Sequence, residues 1–145
     1  VSATATICRD SATGMPHPYA VVVQTRDGRH VGCGGKPSSL LAGREWVVED
    51  LDGRGIIDSS RITLEFDSDG RVSGGASCNR FTAQYTLTGE ALTIESAATT
   101  RMACPEALMN QERRFLEILE GVVHFDLDTS GALVLQGTAG SLVAR

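Results

Sequence analysis

Alternation of apolar and polar residues at a period of two recurs along most of the chain and predicts short β-strands. The cleanest case is Arg61-Ile62-Thr63-Leu64-Glu65-Phe66, with Ile62, Leu64 and Phe66 on one face. Val72 begins its partner, across Asp69-Gly70. At the N-terminus Val1, Ala3, Ala5 and Ile7 alternate with Ser2, Thr4 and Thr6. Tyr19 to Thr25 and Arg29 to Cys33 flank Asp27-Gly28, and Trp46 to Leu51 ends at Asp52-Gly53. Tyr85 to Leu87 and Leu92 to Ile94 flank Thr88-Gly89. Val122 to Leu127, Leu133 to Leu135 and Leu142-Val143 are separated by Ser130-Gly131 and Ala139-Gly140. Asp-Gly between two such segments is a strong hairpin signal, because glycine accepts the positive φ of a primed turn. Strands this frequent predict an antiparallel sheet with one wet face.

Pro105 to Glu120 departs from the pattern. It has no glycine and places Leu108, Phe115, Ile118 and Leu119 at helical spacing. Pro105 suits the first helical position and Gly121 the C-terminal cap. The predicted fold class is therefore α+β, mostly antiparallel sheet with one amphipathic helix packed across it. Gly34 to Ser39 reads as a linker. It divides a small N-terminal β-hairpin region, 1–36, from a main domain, 40–145.

The chain has 145 residues, enough for one domain or one domain with a small appended unit. Asp and Glu outnumber Lys and Arg by 18 to 13, for a net charge of −5, which argues against a nucleic-acid partner. No apolar run approaches the ~20 residues of a membrane-spanning helix. Four cysteines, Cys8, Cys33, Cys78 and Cys104, read as a disulfide set in an oxidising compartment. Three pairings are open. Pairing of sequence neighbours would close two loops of similar span, each stabilising by roughly 3–3.5 kcal/mol in the chain-entropy model. A start at Val1 without an initiator Met fits an exported protein whose targeting segment has been removed.

Several constellations invite chemistry and fall short of it. Cys8, His17, His30 and Cys33 could form a tetrahedral zinc site, against the simpler reading of a disulfide with two turn histidines. Asp126-Leu127-Asp128-Thr129-Ser130-Gly131 matches the start of a calcium loop, but its twelfth position is Gly137 rather than Glu. Gly74-Gly75-Ala76-Ser77-Cys78-Asn79 resembles a nucleophile elbow with Asn79 in place of the last glycine. Cys78 could act as a thiolate with His124 as base, yet His124 lies within a predicted strand. Gly35-Lys36 lacks the rest of a phosphate loop, Pro37 standing where a Ser or Thr would meet magnesium. Glu49, Asp50 and Asp52 cluster in what reads as a solvated loop. No catalytic residue, metal ligand or cofactor is assigned.

Leu41-Ala42-Gly43-Arg44-Glu45-Trp46 resembles the opening of the META (HslJ-like) domain. The likeness continues through Asp69-Gly70-Arg71-Val72-Ser73-Gly74 and Cys78-Asn79-Arg80-Phe81. It runs on through Thr100-Arg101-Met102-Ala103-Cys104, the helix ending Phe115-Leu116-Glu117-Ile118-Leu119, and Leu133-Val134-Leu135. One departure is Ser77, where the family usually has glycine before the cysteine. Cys8-Arg9-Asp10, Gly14-Met15-Pro16 and Gly32-Cys33-Gly34 resemble the tail of an uncharacterised bacterial envelope lipoprotein domain that pairs its two cysteines. The resemblance implies a curved antiparallel sheet with a helix across it, and disulfides Cys78–Cys104 and Cys8–Cys33. It implies a non-enzymatic bacterial protein, periplasmic, anchored at the outer membrane or secreted, serving envelope maintenance or stress response through an envelope protein or small ligand. Asn79, Arg80 and Thr100, beside the second disulfide, are the candidate binding surface. Their alternative role is structural, Asn and Thr suiting tight turns. Rival functions are a periplasmic ligand-binding or hydrolase-inhibitor module, and a Cys or Ser hydrolase.

Overall fold

Inward-facing positions of the alternating segments meet one another across each strand pair. Trp46 opposes Leu64, Phe66 opposes Val72, and Val72 opposes Ala83. Phe125 opposes Leu135, which opposes Leu142, which opposes Leu51. Such cross-strand pairs are the unit from which a sheet gains stability. The computed structural model describes all 145 residues.

The N-terminal region holds β1 (Ser2–Thr4), β2 (Cys8–Arg9), β3 (Pro16–His17), β4 (Tyr19–Thr25) and β5 (Gly28–Gly34). A short helix α1 (Ser38–Leu41) leads to β6 (Glu45–Leu51), β7 (Thr63–Phe66), β8 (Arg71–Gly75), β9 (Arg80–Leu87), β10 (Leu92–Ile94) and β11 (Ala98–Thr99). The long helix α2 (Glu106–Glu120) precedes β12 (Val122–Leu127), β13 (Leu133–Gly137) and β14 (Ser141–Ala144). The main sheet is antiparallel, in the order β10-β9-β8-β7-β6-β14-β13-β12, with β11 on β9 beyond β10. It curls into a nearly closed barrel. Trp46, Phe66, Phe81, Phe115 and Phe125 are all buried in one continuous core.

Helix α2 lies across one mouth of this barrel. The segments after β6, β8, β10 and β13 all emerge at that end, as antiparallel order requires, and each bonds to the helix. Ile57 N–H donates to Gln111, Asn79 N–H to Glu112 and Ala97 N–H to Glu120, while Arg114 donates to the Ala139 carbonyl. Phe115, Ile118 and Leu119 point into the core, Phe115 edge-on to Phe81. Pro105 stands one residue earlier than expected, as the cap before Glu106, with extended ψ of 144°. Gly121 does cap the helix, but at a φ of −93°, so positive φ is not the reason for glycine. Room is the reason: a Cβ on Gly121 would lie 3.0 Å from the Ala139 Cβ and 3.1 Å from the Ala139 nitrogen and the Thr138 hydroxyl oxygen.

The barrel's end strands, β10 and β12, face each other without a hydrogen-bonded ladder. The N-terminal β2–β3 hairpin fills this seam. Arg9 binds the Asp126 carboxylate at 2.9 Å and the Leu127 carbonyl at 2.7 Å, and the Thr13 hydroxyl donates to the Gly89 carbonyl. Met15, at the hairpin's end, is fully buried in the barrel core. The hairpin thereby covers an edge strand that would otherwise expose unpaired backbone. The remaining N-terminal strands form a separate sheet, β1-β4-β5, with Val31 73% exposed. Just after the 34–39 segment, α1 buries Leu41, and Trp46 Nε1 donates to the Leu41 carbonyl.

Candidate functional site at the helix-capped mouth

Both sequence-neighbour cysteine pairs lie at bonding distance, Cys8–Cys33 at 2.00 Å and Cys78–Cys104 at 1.94 Å. No sulfur is left free. Next to Cys104, the strap from Thr99 to Pro105 passes over the β8–β9 turn, and Asn79 fixes it. Asn79 is 7% exposed, and its Oδ1 accepts the Thr100 hydroxyl at 3.0 Å and the Met102 N–H at 2.6 Å. Its Nδ2 donates to Glu112 Oε2 at 2.9 Å, while Glu112 Oε1 accepts the Cys78 and Asn79 N–H groups. Thr100 Oγ1 also accepts the Arg80 N–H. The structure thus gathers Cys78, Asn79, Thr100 and Cys104 into one cluster fastened to α2. Arg80 differs: its backbone joins the cluster, and its side chain makes no ion pair and is exposed.

A second arrangement on the same helix encloses a groove with apolar walls. The loop 52–62 between β6 and β7 leans against α2 and leaves a groove of about 300 Å³. Leu51, Ile56 and Ile57 form its apolar walls, and Arg54, Gln111 and Arg114 its polar rim. Asp50 holds the loop's start by accepting the Gly53 and Gly55 N–H groups at 2.6 and 2.8 Å. Asp52 has a φ of 55°, and its carboxylate pairs with Arg114 and accepts the Ser141 N–H at 3.0 Å. Gln111 accepts the Ile57 N–H and donates to both Ser60 and Ser77. Ser77 is the other non-glycine residue at positive φ, 94°. A glycine would be at ease there. Here the serine hydroxyl donates to the Leu108 carbonyl at 3.1 Å.

Electrostatics follow the hydrogen bonds. The Ser141 N–H and then Arg114 hold Asp52 below the usual carboxylate range, and Asp52 raises Arg114 in turn. Asp128 is lowered first by the Ser130 hydroxyl and then by the Ala132 N–H. Its oxygens therefore build the β12–β13 turn, and Asp126 is paired with Arg9, so the calcium-like run works as a turn. His17 Nδ1 contacts the Gly35 carbonyl at 3.0 Å, while Cys8 and Cys33 bond each other. His124 lies against Gly14 at the seam, and Cys78 is bonded to Cys104 rather than facing an imidazole.

Gln111, Glu112, Arg114 and Arg54 escape the sequence reading. One signal was present: Gln111 precedes Phe115 by one helical turn, a polar residue prolonging the core-facing stripe. The partners it meets at 57, 60 and 77 are distant in sequence, and no local pattern announces them.

A small antiparallel barrel closed at one end by a helix, with a disulfide beside the cap, defines the structural class. The META domain family model matches residues 39–145, well over half of the chain, and the chain belongs to that family. This is a bacterial domain not known as an enzyme family. An NMR structure matches with a TM-score of 0.61 and 27% identity, over 77% of this chain and 95% of the other. A second, from Burkholderia xenovorans, matches with a TM-score of 0.58 and 23% identity over 84% and 95%, a likeness of fold. No curated protein matches the chain. The disulfides are compatible with an extracytoplasmic location, and no helix is long and apolar enough to cross a membrane.

Proposed function

We propose that this META-domain protein is a non-enzymatic binding module of the bacterial cell envelope, acting in envelope maintenance or stress response. The periplasm, the outer-membrane surface or the medium would be its place of work. The observation that carries this reading is the use of all four sulfurs in Cys8–Cys33 and Cys78–Cys104. Such bonds persist in oxidising compartments, and a bonded Cys78 has no thiolate to offer. Asn79 and Thr100 spend their polar atoms on the strap, which leaves the Arg80 guanidinium as that cluster's outward-facing member. Alkylation with and without reductant, read by intact mass, tests the compartment: no adduct before reduction and four after are expected. Four adducts without reductant would remove the basis for export. Pull-down from envelope extract, with reduced protein and Arg80→Glu as controls, tests binding. Capture that ignores both controls would count against this surface.

A second reading, a module for a small ligand, is favoured by the preformed groove between Ile57 and Arg114. Ligand sites are concave, mostly apolar, and carry a few fixed polar groups.

A further inference from the structure

We infer that the groove between the 52–62 loop and α2 binds a small apolar molecule carrying one carboxylate. This rests on the small-ligand reading and adds the chemistry of the ligand.

The Asp50 oxygens are taken by Gly53 and Gly55, and those of Asp52 by Ser141 and Arg114. A cation entering the groove would find both carboxylates already engaged. Gln111 has its oxygen on Ile57 and its nitrogen on Ser60 and Ser77. Arg114 is held by Asp52, Ala139 and Glu117. Arg54 remains. It lines the groove, and its guanidinium makes no hydrogen bond or ion pair. That group offers only donors, in a planar fork that matches a carboxylate. A single guanidinium near two acidic residues suits one negative charge better than the two of a phosphate. The walls of Leu51, Ile56 and Ile57 then require the rest of the ligand to be apolar. The groove's loop is tied down by its own hydrogen bonds, from Gly53 and Gly55 to Asp50, from Ser141 to Asp52 and from Ile57 to Gln111. Such preorganisation lowers the ordering cost of binding.

The test is a heteronuclear NMR titration of the full chain with octanoate, octanol and octyltrimethylammonium. Octanoate is expected to shift Ile56, Ile57 and Gln111 signals saturably, and the ammonium compound to leave them unmoved. Arg54→Gln should weaken octanoate about threefold to fivefold and leave octanol unchanged. Ile57→Ser, at a half-exposed wall position, should weaken both. Equal binding of octanoate and octanol, or indifference to Arg54→Gln, would overturn the carboxylate while leaving the small-ligand reading intact. No response at the groove to any of the three would overturn both.

Discussion

Glu112 holds Asn79 with both carboxylate oxygens, one on the backbone N–H at 2.6 Å and one on the side-chain amide at 2.9 Å. The turn bearing Cys78 is thus fixed to the helix by hydrogen bonds, and the strap bearing Cys104 is fixed to that turn by Asn79 and by sulfur. Asn79→Ala would leave Glu112, Thr100 and the Met102 N–H short of partners in a nearly closed site. A loss of about 3 kcal/mol is expected from urea unfolding, because unmet buried polar groups cost more than a hydrogen bond gains. A loss below about 0.5 kcal/mol would show that water replaces the amide freely.

Ser77 combines strain with two hydrogen bonds, so two substitutions separate the effects. Ser77→Ala keeps the φ of 94° and loses the hydroxyl contacts to Leu108 and Gln111. Ser77→Gly loses the same contacts and removes the strain. Thermal melting should rank Ser77→Gly above Ser77→Ala by about 1 kcal/mol. The reverse order would mean that the turn carries no strain.

Acid should weaken the fold through Asp52. Its folded pKa lies below 3.8, the ordinary value, so its contribution is complete above that pH. As pH falls through the lowered folded value, the contribution is lost, and melting temperature drops with it. Asp52→Asn keeps the size of the side chain and suits positive φ, while ending the ion pair with Arg114. The variant should melt lower than wild type at neutral pH, with the gap narrowing toward pH 2. Asp10 and Asp128 shift the same way, so some acid sensitivity should remain in the variant. A constant gap across the titration would show that the pair contributes nothing.

Met15 joins the N-terminal hairpin to the barrel core. Met15→Ala should cost about 3 kcal/mol by opening a cavity at the seam. Wild type should unfold in one transition by both circular dichroism and Trp46 fluorescence. Two separated transitions would mean that residues 1–36 are a unit of their own.

The strands and the helix were legible because their information is local. Ile62, Leu64 and Phe66 alternate within one segment, and Phe115, Ile118 and Leu119 recur within one helix. The Cys78–Cys104 pair was legible through the family's ordered blocks. The groove was not, since Arg54, Gln111 and Arg114 meet only after α2 crosses the barrel mouth. Asp52-Gly53 misled for a related reason. It reads as a tight hairpin, but it opens the loop 52–62, whose course is set by Asp50 and Gln111. Met15 gave no sign of its burial, because an isolated Met after glycine has no period to belong to.

The seam between β10 and β12 has a mechanical consequence. Parting any other two neighbouring strands breaks a ladder of backbone hydrogen bonds, whereas parting these two breaks only side-chain contacts and the hold of Arg9. The cylinder therefore has one built-in line of weakness, and the β2–β3 hairpin is its clasp. Cys8 ties that clasp to Cys33 in the outlying sheet, so a pull on β5 is delivered through sulfur to the one place where the wall can open.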